Sequence, residues 1–203
     1  MHVSKMLNIA FLRQLCWGII STDLKSTCTA FERNIRQIGV SWRGAFEPVN
    51  WNNFYRLHGL SFNVHGAEIA LFCIKDNLTV YLCNGADGWI SLFEGVVTHE
   101  RVCAFFFRTT IGQAPYPVHE MIYWSTGHRT RHIRVLKEED RWAYWENGKP
   151  LPFEQVVRYR ARMIRDRVDQ ELIENYSREI GFDPEDIIAL KGPVFHITRS
   201  PLA

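Results

Sequence analysis

The sequence is short of the parts that announce chemistry. It has no Walker loop, no GxGxxG, no HExxH and no GxSxG, which removes the usual signs of nucleotide, dinucleotide, zinc-protease and α/β-hydrolase sites. No CxxC occurs, and the five cysteines at 16, 28, 73, 83 and 103 are odd in number, so neither a disulfide framework nor a zinc site is indicated. No run approaches the ~20 apolar residues of a membrane helix, and no repeat or low-complexity stretch is visible. Charge of one sign is also lacking: the formal net charge is +2, too near neutral for a general nucleic-acid binder.

The first residues resemble a secretory leader in one respect, Lys5 ahead of an apolar stretch. Asn8, Arg13 and Gln14 interrupt that stretch, and no A-x-A-like cleavage site follows. A cytoplasmic protein with reduced thiols is therefore expected. Cys73, Cys83 and Cys103 fall in the apolar runs "LFCI", "VYLC" and "VCAFFF", where a thiol packs as a small hydrophobe. A Cys73–Cys83 bridge between paired strands is the disulfide left open.

Aromatic residues are plentiful, with seven Trp, seven Tyr and thirteen Phe in 203 residues. A chain of this length buries about 70% of the surface it exposes when unfolded, so a core needs no metal staple. A single α+β domain over 1–203 is expected. Its parts are a helical region over 1–40, an antiparallel sheet over 60–147 and C-terminal helices over 152–190.

In detail, residues 6–20 read as a mostly apolar helix and 29–38 as a second, with Phe31, Ile35 and Ile38 at helical spacing. The stretch 41–59 reads as an irregular aromatic connector. "EIALFCI" (68–74) and "LTVYLC" (78–83) form a hairpin around "KDN". "WISLFEG", "RVCAFFFRTT", "MIYWST", "RHIRVL" and "RWAYWE" continue a meander of six to seven strands. Beyond Pro152, an apolar stripe of Phe153, Val156, Val157, Met163, Ile164 and Val168 predicts a helix. Asp169 caps another, so that a helical hairpin packs on the sheet. Asp183 and Pro184 open a short third helix, and "GPVFHITRSPLA" supplies an edge strand.

Charge is segregated within the near-neutral total. Residues 128–167 hold eleven Lys/Arg against six Asp/Glu, and residues 168–190 hold seven Asp/Glu against one Arg. "RYRARMIRDR" (158–167) is the densest part. On a helix, Arg158, Arg162 and Arg165 share one face, which makes either an ordinary wet face or a grip for acidic groups. In "HRTRHIRVL", Ile133 and Val135 alternate with His132 and Arg134, so the last two point away from the helices. Trp142 and Tyr144 share one face of the next strand, with Arg141 and Trp145 on the other. A surface mixing Trp and Arg has the composition of a protein-binding hot spot, and it also suits single-stranded bases.

Other constellations carry less. His128 and His132 are about 13 Å apart on a strand at ~3.3 Å per residue, too far for one ion. Cys103 opens an apolar strand, where a thiol beside His99 stays protonated. Glu138, Glu139 and Asp140 suit a solvated turn. No residue is assigned to catalysis, and no cofactor or metal is implied.

Residues 142–183 resemble a block in uncharacterised bacterial proteins: a strand, a "G-x-PLPFE" turn, a basic "YxxRxIxDR" helix and an "ExLxxYxxxxG" helix. The matching residues are Gly148, Pro150, Leu151, Pro152, Phe153, Glu154, Tyr159, Arg162, Ile164, Asp166, Arg167, Glu171, Tyr176 and Gly181. They cover about a fifth of the chain. Small α+β proteins of this kind are similar to immunity proteins that neutralise secreted toxins, which implies occlusion of a protein partner. On the residues themselves, the block reads as a set of fold determinants.

The expectation is a binding protein whose partner has an acidic surface, met by Arg129, Arg131, Arg134, Arg158 and Arg162 with Trp142 or Trp145 as anchor. The alternatives are a nucleic-acid-binding module on the same basic face and an enzyme with dispersed catalytic groups.

Overall fold

The computed structural model describes residues 14–37, 42–51, 54, 68–85, 87–112, 114–190 and 193–199. Among the described residues nine antiparallel strands form one sheet. They are β1 (Gln14–Ile20), β2 (Trp42–Pro48), β3 (Glu68–Lys75), β4 (Leu78–Cys83), β5 (Ala104–Thr110), β6 (Val118–Ser125), β7 (His128–Glu138), β8 (Arg141–Asn147) and β9 (Pro193–Arg199). Their order is β2-β9-β3-β4-β1-β5-β6-β7-β8. Among the described residues three α-helices accompany them: α1 (Leu24–Gln37), α2 (Ile90–Glu100) and α3 (Gln170–Glu179).

The sheet is covered on both faces, and β1 shows why. Leu15, Trp17 and Ile19 point into one apolar cluster, Cys16 and Ile20 into the other. The first cluster takes Leu172, Ile173 and Tyr176 of α3 together with Tyr159, Val168 and Phe182. The second takes Phe31 and Ile35 of α1 and Phe93, Val96 and Val97 of α2. Each such side chain stabilises by about 1.5–3 kcal/mol when fully buried, so these stripes hold the layers. Polar links add direction: Trp17 Nε1 donates to Ser177 Oγ at 2.9 Å, and Ser177 Oγ to the Phe182 carbonyl at 2.7 Å. Gly18 lets α2 lie close, since a Cβ there would stand 2.2 Å from the Phe93 ring.

The class expected from sequence, α+β on an antiparallel sheet, is the class observed. Several finer expectations are corrected. Residues 14–20, expected as helix, are the central strand: a strand buried on both faces shows an unbroken apolar run without period 2. The part of that expectation at 6–13 lies outside the described residues. The connector at 42–48 is a strand. "WISLFEG", expected as strand, opens α2, whose buried Phe93, Val96 and Val97 keep helical spacing. The sheet has nine strands rather than six or seven.

The C-terminal hairpin of helices is absent. Residues 158–168 make two short 3-10 turns, Arg158–Arg160 and Ile164–Asp166. Ala161 is extended between them, and side chains serve carbonyls that a helix would have used: Arg167 Nε donates to the Ala161 carbonyl and Arg158 Nη2 to that of Asp166. Asp169 does cap α3, accepting from Leu172 N–H at 2.9 Å. Asp183 and Pro184 do open a 3-10 helix. The tail strand β9 is interior, between β2 and β3. No disulfide links the five cysteines. Cys73 lies opposite Thr79 while Cys83 lies opposite Ile69, so the bridge left open does not form.

Candidate functional site

The basic stretch divides between the two faces of the sheet. On the α3 face, Arg131 is only 1% exposed and every N–H it has is used. Nε donates to both Glu154 carboxylate oxygens at 2.9 and 3.1 Å, and Nη2 reaches Glu154 Oε2 at 2.6 Å and Glu146 Oε1 at 2.9 Å. Nη1 donates to the carbonyls of Asn147 and Gly148 at 3.2 and 2.8 Å. Glu154 also accepts from Leu151 N–H at 2.8 Å and from Tyr159 Oη at 2.7 Å. Tyr176 Oη sits 2.8 Å from Tyr159 Oη and accepts from Gln155 N–H at 2.8 Å. Burial, with the neighbouring Tyr176 and Glu154, drives the Tyr159 phenol far above its ordinary value. The arrangement pins residues 148–159 to β7 and α3. Gly148 completes it at φ +82°, where a Cβ would stand 1.9 Å from the Thr130 carbonyl.

Beyond these pins the chain turns outward. Val157 is 82% exposed, Met163 48% and Val156 42%. Arg160, Arg162 and Arg165 are exposed among them. Arg160 and Arg162 make no ion pair among the described residues, and Arg165 meets Asp166 at 3.6 Å with both side chains in water. Arg158 is held back by Asp169 at 2.5 Å. Exposed aliphatic groups beside uncompensated guanidinia, on a segment anchored from below, form a surface rather than a cleft.

On the other face, one cross-strand row runs through Ile197, Ile69 and Cys83, then Cys16, Arg108, Glu120, Arg134 and Trp145. The first members are apolar and lie in the α1/α2 cluster. From Arg108 onward the row is charged. Glu120, 2% exposed, is ion-paired with Arg108 Nη2 at 2.7 Å, accepts from His132 Nε2 at 2.7 Å and has Arg134 Nη1 at 3.7 Å, while its Oε2 makes no hydrogen bond. Burial raises its pKa, but the His132 hydrogen bond and the Arg108, His132 and Arg134 charges outweigh this and hold the carboxyl below its ordinary value. Trp145 meets the His132 ring edge-on at 4.4 Å.

The seven residues expected to meet a partner are thus scattered. Arg131 is interior because its charge is consumed by Glu154 and Glu146. Arg129 is paired with Glu94 at 2.8 Å and lies over the Trp124 ring. Arg158 is a pin, and Trp142 packs against the α3-side core. Arg134 and Trp145 share the charged row, and Arg162 stands in the exposed segment. The basic face is therefore largely neutralised by the molecule's own carboxylates. Arg108 and Glu120 were missed, although a single charge inside "VCAFFFRTT" or "VHEMIYW" is a sign of a buried pair. Exposed Val157 and Met163 were missed because they were placed on the buried stripe of a helix.

No protein-family model, curated protein or solved structure matches the chain. No helix among the described residues is long and apolar enough to cross a membrane.

Proposed function

We propose that this chain is a cytoplasmic bacterial binding protein that occludes a protein partner with an acidic surface, in the manner of an immunity protein against a secreted toxin. The carrying observation is the segment 156–165, where Val156, Val157 and Met163 stand in water among Arg160, Arg162 and Arg165. Aliphatic groups supply area to desolvate, and guanidinia select a carboxylate-lined counterpart and speed encounter. The pins at Glu154, Tyr159 and Arg158 support this reading, because a surface ordered beforehand loses less entropy on docking. Five cysteines without a disulfide between them suit a reducing compartment.

The test is coexpression with the product of the adjacent gene. A complex on size exclusion, rescue of a growth defect, and loss of both in Arg162→Glu/Met163→Asp at unchanged melting temperature support the proposal. No complex and no rescue overturn it. Binding to single-stranded DNA with a steep salt slope overturns it in favour of a nucleic-acid module.

A further inference from the structure

The two outer strands of the sheet differ in kind. Among the described strands, β2 and β8 end the order. β2 carries Gly44 and Pro48, which weaken a strand and remove a donor. β8, "RWAYWEN", keeps an unbroken register with β7 and has five of its seven residues exposed. Proline, lysine and a bulge, the devices that commonly blunt an edge, are missing from it, and the Glu146 carboxylate is turned back onto Arg131.

The backbone groups of that edge can be assigned. Glu139 and Asp140 turn β7 into β8, with Glu138 opposite Arg141. In such a turn the fourth residue donates to the carbonyl of the first, so Arg141 N–H points at β7. Direction alternates along an antiparallel strand. Ala143, Trp145 and Asn147 therefore also bond towards β7. Trp142, Tyr144 and Glu146 turn their N–H and C=O groups outward, where no strand among the described residues meets them.

We propose that this edge pairs with the same edge of a second copy of the chain, antiparallel and two-fold, with Tyr144 opposite the second copy's Tyr144. In this register Trp142 faces the second copy's Glu146, and Glu146 its Trp142. All the outward residues then sit in hydrogen-bonded pairs, with about six bonds between the strands. On the other face Ala143 lies opposite Trp145 and Arg141 opposite Asn147, so no like charges meet. A shift by two residues loses one of the hydrogen-bonded pairs, and in one direction it sets Asp140 against Glu146. The edge is thus self-complementary in one register, and a two-fold contact closes at the dimer. It is made of backbone on the rim of the sheet and is distinct from the side chains of 156–165 proposed to dock a partner.

Sedimentation equilibrium of the full chain tests this. Wild type should pass from monomer to dimer as its concentration rises, and stop there. Ala143→Lys/Trp145→Lys sets like charges directly opposite one another across the two-fold, and so does Ala143→Glu/Trp145→Glu. Each should dimerise about tenfold more weakly than wild type, and an equimolar mixture of the two should recover the loss. Wild type that stays monomeric up to its solubility limit, association beyond the dimer, undiminished dimerisation of either variant, or a mixture no tighter than its components overturns the proposal. Should a variant fail to fold, amide hydrogen exchange of the wild type decides. The Trp142, Tyr144 and Glu146 N–H groups should exchange about tenfold more slowly at high protein concentration than at low, with Ala143 and Trp145 protected at both. Equal rates overturn the proposal. Protection of those outward amides only in a complex with the adjacent gene's product assigns the edge to a partner's strand, and overturns it too.

Discussion

Arg131 and Glu154 come from a strand and a turn 23 residues apart and meet through Nε and Nη2 at 2.6–3.1 Å, with both side chains withdrawn from water. Breaking such a pair from one side strands a buried charge, at a cost of about 3–5 kcal/mol. Arg131→Met and Glu154→Leu are each expected to lower stability by that amount in urea denaturation. The double variant Arg131→Met/Glu154→Leu should lose less than the two single losses added. Strict additivity would show that the two side chains act independently.

Gly148 holds φ +82° with the Thr130 carbonyl where a Cβ would go. A non-glycine residue in that region costs about 1–2 kcal/mol, and the clash adds to it. Gly148→Ala should destabilise by at least about 2 kcal/mol and release Arg131 Nη1 from the Gly148 carbonyl. A melting temperature unchanged in Gly148→Ala would contradict this.

Two histidines give opposite pH signs. His196 lies between Glu68 and Glu47, with its ring nitrogens 2.9 and 2.6 Å from their carboxylates. Burial lowers its pKa, and the two carboxylates outweigh this and raise it. The folded state therefore prefers the cation. The stability His196 supplies is complete below the ordinary value near 6.5 and is lost as pH rises through the raised value. His119, 2.7 Å from Thr109 Oγ1, is pushed by burial down to about 4, with Asp169 opposing weakly. The folded state prefers it neutral, so stability falls as pH drops from about 6.5 towards 4. Chemical denaturation across pH 4–9 should therefore give His196→Gln its largest deficit in acid. His119→Gln should relieve part of the acid loss. Reversed signs would refute the assignments.

Thiol reactivity should sort by burial. Burial drives Cys16 far up and pushes Cys28 and Cys83 up to about 12, whereas Cys73 is exposed. With a disulfide reagent at pH 8, Cys73 should react fast and the three buried thiols only on unfolding. A fast phase that survives in Cys73→Ser/Cys103→Ser, which also removes the half-buried Cys103, would show that this order is wrong.

The legible parts of the sequence were those in which local pattern and tertiary setting agree. The β3/β4 hairpin, the strands β5 to β8 and the caps at Asp169 and Asp183 follow from alternation, turn residues and N-cap chemistry. β1 was illegible because burial on both faces erases its period. The 158–168 segment misled because Val156, Val157, Met163 and Ile164 imitate an apolar stripe. Its course is set instead by Tyr159 and Arg158 reaching Glu154 and Asp169, partners that composition does not reveal. The charged row was hidden for the same reason. Arg108, Glu120, Arg134 and Trp145 are adjacent only through the register of four strands.

The place of β9 orders the birth of the molecule. Among the described strands β2 is hydrogen-bonded to β9 alone, and β9 follows all the others in the chain. During synthesis the ribosome releases β2 early, yet its one neighbour emerges some 145 residues later. Until then β2 is an unsatisfied ribbon and β3 presents an open flank, the kind of nascent surface that chaperones shield. His196, arriving between Glu47 and Glu68, is the clasp that ends this interval.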